Sequence, residues 1–223
     1  PQPGEITLAH HGVLFLDELP EFSKHALEVM RQPLEDRIVH ISRARYAVEF
    51  PANFMLMASM NPCPCGYYNH PSKDCTCGPE VVQRYLNKIS GPLLDRIDLH
   101  IEILPIQFEE MRKQNTNETS QHIYERVIQA RKIQENRFAK FPMVRTNAMM
   151  DGGMIREMCP LDVHSEIRLK SAMNKLSLSA RAYDRIIKVA RTIADLAESD
   201  NIALEHLSEA IAYRSLDREN WGG

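Results

Sequence analysis

The stretch GVLFLDE, Gly12 to Glu18, constrains what this chain can fold into more than any other. Val13 to Leu16 is an apolar run of strand length, opened by a glycine and closed by two acids. With no polar residue to face solvent, such a run predicts a strand buried on both faces, as in a parallel sheet covered by helices. In open sheets of this class ligands bind beyond the carboxyl ends of the strands, so Asp17 and Glu18 are expected where a nucleotide can sit. One carboxylate there suits Mg2+, held through its waters; the other suits a water that must be oriented or deprotonated. The same pattern also arises as a plain strand running into a solvated turn, and the remaining sequence has to decide between the two.

Downstream lies a second strand of the same type. Phe54 to Ala58 is apolar and runs into Ser59-Met60-Asn61-Pro62, which sets Asn61 just past a strand end, as Asp17 is. The Asn61 amide can bond a phosphate oxygen or an attacking water, although an asparagine before proline is also an ordinary turn former. Between the strands, Ser23 is placed to cap a helix running to Gln32, with Ala26, Leu27 and Met30 on one face and Pro33 disturbing its end. Ile38 to Phe50 alternates around Ser42-Arg43-Ala44-Arg45, which predicts a hairpin with a basic tip. Val81 to Ile89 reads as a helix punctuated by Gly91-Pro92, and the alternation through Ile101 and Ile103 reads as strand. Between these stands Arg96, on a short turn from which it is expected to project outward. Its ordinary alternative is an ion pair with Asp95 or Asp98.

Four of the five cysteines, Cys63, Cys65, Cys75 and Cys77, crowd into a polar insertion as Cys-x-Cys, nine residues, Cys-x-Cys. Four thiolates match a closed tetrahedral Zn2+ site of structural type, and reduced free thiols or a redox-labile loop are the alternatives.

Beyond the polar joint at Gln114 to Ser120 the pattern turns helical. A long amphipathic helix is predicted over Gln121 to Phe138, with Ile123, Val127, Ala130 and Ile133 in register. A short turn at Met154 to Met158 follows. Asp162 caps a helix carrying Ile167, Met173 and Leu176 inward, and Ser179 caps another with the face Tyr183, Ile186, Val189, Ile193, Leu196. A last helix lies around Leu204, Leu207 and Ile211. Arg181 sits in the first turn of the Ser179-capped helix, where the helix dipole disfavours a cation; a shared phosphate would compensate, and so would simple solvation.

At 223 residues and 43% hydrophobic, the chain has apolar material for one large domain or two small ones. Its net charge of -3 excludes wholesale electrostatic attraction to nucleic acid or membranes, so any such contact must be local. No apolar stretch approaches a membrane span and no signal peptide is visible, which makes the cytoplasm the expected compartment. The first residue is Pro1 and the sequence enters on a loop, as an excised piece of a longer protein would.

Taken in order, GVLFLDE, the strand ending in Asn61, RYLNKISGPLLDRIDLHIE and LSARAYDRIIKVARTIADLA resemble the AAA+ ATPases of the magnesium-chelatase-like group, in its ComM/YifB branch. The resemblance implies an α/β fold: the C-terminal part of an AAA+ parallel-sheet αβα core over 1–112, then a long linker helix and an all-helical lid over 113–223. It implies ATP and Mg2+ as ligands, with Asp17 assisting Mg2+ binding, Glu18 activating water and Asn61 as first sensor. Arg96 would be a finger acting in trans within a ring, hexameric when the protein is complete, and Arg181 a second sensor on ATP phosphates. In related ring motors a hairpin before the first-sensor strand points into the pore, which makes Arg43 and Arg45 candidate DNA-phosphate contacts.

One part of the family pattern is missing. The phosphate-binding loop, Gly-x-x-x-x-Gly-Lys-Ser/Thr, occurs nowhere in these residues, so the fragment alone is expected to hydrolyse ATP poorly or not at all. Three functions remain in contention: an ATP-driven ring that remodels DNA or migrates its branches, a motor subunit for Mg2+ insertion into a porphyrin, and a non-catalytic zinc-bearing interaction module. The first is preferred, because the best-matching stretches belong to the ComM branch and the cysteine insertion has no evident place in a chelatase motor.

Overall fold

The computed structural model describes residues 2–43, 46–105 and 118–214. The chain divides into two compact units, with the change falling between Ile97 and Asp98. The joint expected near 112/113 lies outside the described residues.

In the first unit a short helix α1 (Glu5–Leu8) leads into β1 (Val13–Leu16). β1 pairs in parallel with β4 (Met55–Ala58), in the register Val13↔Met55 through Leu16↔Ala58. Leu16 and Leu56 pack against a core of Leu19, Leu27, Met30, Ile89, Leu93 and Leu94. The opposite face corrects the expectation of strands buried on both sides: Val13, Phe15, Met55 and Met57 are each more than half exposed. Alternate side chains of a strand point to opposite faces, and among the described residues this pair has its core on one side only.

Ser23 caps α2 (Lys24–Val29) by accepting from the Ala26 N–H. The helix does not continue to Gln32. It breaks at Met30 and restarts as α3 (Arg31–Asp36), which places Pro33 in a first turn, where proline has no intrahelical N–H bond to forfeit. Arg37, left-handed at φ 60°, ends it. β2 (Ile38–Arg43) and β3 (Tyr46–Pro51) then form the expected hairpin, antiparallel and closed by the pair Arg43↔Tyr46. Next come α4 (Pro79–Leu86) and α5 (Gly91–Leu94); Gly91-Pro92 opens α5 under a Ser90 cap where the sequence suggested only a break. The strand expected through Ile101 and Ile103 is absent. Both side chains are exposed, since alternation makes a strand only where another edge accepts its hydrogen bonds.

All elements among the described residues of the second unit are helical: α6 (Ser120–Arg137), α7 (Gly152–Met158), α8 (Val163–Lys175), α9 (Ala180–Leu196) and α10 (Leu204–Ala212), with a 3-10 turn at Asn147–Met149. Side chains of Thr119, Asp151, Asp162 and Ser179 cap α6 to α9. The core joins Phe138, Met150, Met154, Ile155, Leu169, Ile186, Ile187, Leu207 and Ile211. Three predicted faces hold in part: Ala130 and Ile186 are buried and Met173, Leu176, Val189 and Ile193 pack on the core, but other positions differ. α6 exposes Ile123 and Val127 and buries Ala130 and Gln134, α8 exposes Ile167, and α9 exposes Tyr183 while burying Arg191 and Asp195.

The cause on α6 and α9 is a buried polar network that apolar spacing does not register. Asp195, fully buried, accepts from Arg137 Nη1 and Nη2 at 2.8 and 2.5 Å, from Arg191 Nε at 3.1 Å and from Asn147 Nδ2 at 2.7 Å. Gln134 Oε1 accepts from the Asn147 N–H, and Arg191 also reaches the carbonyls of Ser199 and Asp200 beyond the end of α9. Arg137 is held above its ordinary pKa, chiefly by the hydrogen bonds to Asp195, whereas burial pushes Arg191 below its own.

Candidate active site

Parallel pairing puts the carboxyl ends of β1 and β4 at the same edge, so Asp17 and Asn61 emerge together. The link is direct. The Ser59 N–H donates to Leu16 O at 2.9 Å, the Leu19 N–H to Ser59 O at 2.9 Å, and the Ser59 hydroxyl to Asp17 Oδ1. Asp17 Oδ1 also accepts from the Glu18 N–H at 2.9 Å. Two donors on one oxygen fix the carboxylate's orientation while the residue stays exposed. Sequence reasoning missed Ser59, whose signal was its place opposite Asp17 once the register is known.

Glu18 is left-handed, at φ 51° and ψ 48°, a region that costs a β-carbon residue about 1–2 kcal/mol. The fold holds it there from both sides: its N–H is used by Asp17, its carbonyl accepts from the Glu21 N–H at 2.7 Å, and Leu19 and Pro20 behind it are buried. Strained backbone that the surroundings enforce clusters at functional sites. Glu18, Glu21, Asn61, Pro64 and Tyr85 line an open cleft of about 330 Å³, at the small end for ligand sites. Asp17 is not part of its wall. Tyr85, which the sequence did not single out, lines the cleft with Asn61 and is itself buried. Burial first, then the charges of Glu21 and Glu18, push its phenol above the ordinary value, so it is a neutral wall group at physiological pH.

The cysteine insertion closes beside this cleft. Cys63 Sγ lies 3.3 Å from Cys65 Sγ and 3.7 Å from Cys75 Sγ, Cys65 Sγ lies 3.5 Å from Cys75 Sγ, and all four sulfurs including Cys77 fall within 4.8 Å of one another. None is in a disulfide. Four thiolates at about 2.3 Å around one Zn2+ sit about 3.8 Å apart, so the donor set and its spacing fit that ion. Backbone hydrogen bonding from Tyr67 is the largest cause that lowers the Cys65 thiol, to about 5.

Arg96 does not project outward. Its side chain is only 8% exposed, with Nη2 2.6 Å from Glu35 Oε2 and Nη1 donating to Pro92 O at 2.7 Å. The partner is neither Asp95 nor Asp98 but a glutamate on α3, a long-range pairing that local sequence does not reveal. Asp98 instead pairs with Arg185 in the helical unit. Arg181 is exposed in the first turn of α9, next to the Ser179 cap. Arg43 ends β2, and its side chain and all of Arg45 lie outside the described residues. Among the described residues no helix is long and apolar enough to cross a membrane.

Comparison with known proteins bears on the whole chain. The family model described as magnesium chelatase, subunit ChlI, matches residues 1–111, and that for the ChlI C-terminal part matches residues 117–214. The uncharacterized protein YifB of Escherichia coli is 46% identical over 219 residues, and the competence protein ComM of Haemophilus influenzae is 46% identical over 221. Each match covers 98% of this chain and 42% of the relative, so the chain spans about two fifths of their length. An uncharacterized MCM-type protein of Methanocaldococcus jannaschii is 33% identical over 109 residues, which is 48% of this chain and 14% of that protein. With both halves of the chain matched, and with relatives at this identity along nearly all of it, the chain belongs to the ComM/YifB group of the magnesium-chelatase-like family.

Proposed function

We propose that Asp17, Glu18 and Asn61 form the hydrolytic edge of an AAA+ ATPase site, and that the complete protein couples ATP hydrolysis to DNA remodelling or branch migration as a ring, expected to be hexameric. The observation that carries this reading is the shared carboxyl edge of β1 and β4, with Glu18 and Asn61 on one cleft and Asp17 oriented beside it. Asp17 is the carboxylate for Mg2+, an ion that neutralises charge on the β- and γ-phosphates when bound. Glu18 takes the role of general base for water, and Asn61 holds that water or a phosphate oxygen by its amide.

Arg96 serves a neighbouring subunit's nucleotide once its guanidinium leaves Glu35, and Arg181 contacts ATP phosphates as second sensor. Arg43 and Arg45, read from the sequence as a basic hairpin tip, contact DNA phosphates. The four cysteines hold a structural Zn2+. A cytoplasmic setting suits both substrates. The 223-residue chain alone, which lacks the phosphate-loop pattern, hydrolyses ATP poorly.

The test is ATP turnover by the full-length protein with and without DNA. DNA is expected to stimulate it, and Glu18→Gln to lower kcat by about 10²–10⁴-fold, the range for losing a general base, with ATP still bound. Turnover unaffected by Glu18→Gln refutes the assignment. A second reading, a chelatase motor subunit, is favoured by the ChlI description of both family models. It requires activity that depends on partner chelatase subunits and is indifferent to DNA.

A further inference from the structure

The loop that carries the cysteines also builds one wall of the cleft. Asn61 and Cys63 are separated by a single proline, and Pro64, between Cys63 and Cys65, lines the cleft itself. Cys63 is fully buried in a cluster with Val82, Tyr85 and Leu86, against which Cys65, Cys75 and Cys77 pack. Tyr85 belongs to both places. It packs in the cysteine cluster, and it lines the cleft together with Asn61.

We propose that Zn2+ bound by Cys63, Cys65, Cys75 and Cys77 is a clamp that positions Asn61, acting through Cys63 along the chain and through Tyr85 across the cleft. The proposal rests on the ATPase reading only for its catalytic consequence. The segment from Ser59 to Gly66 has no helix or strand of its own, and four thiolates gathered from two ends of an insertion repel one another until a cation draws them together. With the metal bound, Cys63 is fixed two residues from the amide that must meet a water or phosphate. Positional error of about 1 Å in such a group costs on the order of 10²-fold in rate. Cys63 and Tyr85 are therefore positioning residues, and Asn61 is the group that touches the reacting atoms.

The experiment uses full-length protein and three readouts. Elemental analysis is expected to find about one zinc per chain, lost in the Cys75→Ser/Cys77→Ser variant; wild-type protein free of zinc, with all four thiols open to a thiol reagent, overturns the proposal. Hydrogen exchange is expected to be at least tenfold faster over residues 59–66 in that variant, and in wild type stripped with a zinc-selective chelator, while amides of α9 stay unchanged. Equal protection at 59–66 with and without zinc overturns it. In kinetics, zinc loss is expected to lower kcat about tenfold or more with the Kd for a fluorescent ATP analogue unchanged, and to add nothing further in an Asn61→Ala background. Tyr85→Ala, which removes the ring shared by the cysteine cluster and the cleft, keeps its zinc and loses about tenfold in kcat; wild-type kcat in that variant overturns the Tyr85 part. If wild type holds zinc and its exchange responds but no ATP is turned over, the clamp stands and the ATPase reading fails.

Discussion

Asp195 gives the sharpest stability prediction. Its carboxylate is fully buried and is the acceptor for Arg137, Arg191 and Asn147 at 2.5 to 3.1 Å. Asp195→Ala removes the one carboxylate that, among the described residues, these two guanidiniums share at such distances, and leaves Arg191, itself buried, with the Ser199 and Asp200 carbonyls. Breaking a buried ion pair from one side costs about 3–5 kcal/mol, because a charge stays behind in a poorly solvated place. Against the roughly 5–15 kcal/mol that stabilises a domain, this is about a fifth of the total or more. The assay is hydrogen exchange of the most protected α9 amides, which reports the helical unit without assuming that the whole chain unfolds as one. Replacing the set together, Arg137→Met/Asp195→Leu/Arg191→Met, is expected to recover most of the loss, since apolar residues of similar volume remove the stranded charges as well. A loss below about 1 kcal/mol for Asp195→Ala, or a triple variant as unstable as the single one, refutes the reasoning.

Ser59→Ala removes the hydroxyl that orients Asp17 and is expected to raise the Mg2+ concentration for half-maximal ATP turnover about three- to tenfold, read by Mg2+ titration of the full-length protein; an unchanged midpoint means the hydroxyl does not orient the carboxylate. If Arg96 acts in trans, Arg96→Ala chains mixed with Glu18→Gln chains recover turnover that neither shows alone, because a wild-type finger then meets a wild-type base at some interfaces; no recovery at any ratio removes Arg96 from that role. For Asp162, the Ser165 backbone N–H holds the carboxyl below its ordinary 3.8, so its contribution to stability is complete above that value and disappears as pH falls through the folded-state pKa. Asp162→Asn keeps a capping acceptor without the titration, and the stability difference between it and wild type is expected to close over that acid range; a difference independent of pH contradicts the assignment.

What the sequence made legible is what neighbouring residues decide among themselves. Caps at Ser23, Asp162 and Ser179 were readable because an N-cap needs only its own side chain and an N–H three residues on. The hairpin was readable from alternation on either side of a polar tip. Faces and partners were not, because they depend on residues far away in the chain. Asp195 and Arg137 are 58 positions apart, and their attraction turns α9 so that a charged pair lies inside and Tyr183 outside. Arg96 has acids on both sides in sequence and still pairs with Glu35, since α3 and the turn that follows α5 belong to the same unit and bring those side chains together.

The candidate site divides in the same way. Asp17 and Asn61 were readable as residues past strand ends, whereas Ser59 and Tyr85 acquire meaning only from the pairing of those strands and the packing of α4. The register Leu16↔Ala58 sets Ser59 beside Asp17, so a slip of one residue in β4 would replace that hydroxyl by Ala58 or Met60 and leave Asp17 with one donor in place of two. Side chains in a strand alternate faces, so the same slip would also turn Leu56 out of the core beneath the site and bring Met55 and Met57 in. Core packing and carboxylate orientation are thus fixed by a single registration. A destabilising change at Leu56 should therefore disturb Asp17 before it disturbs anything in the helical unit.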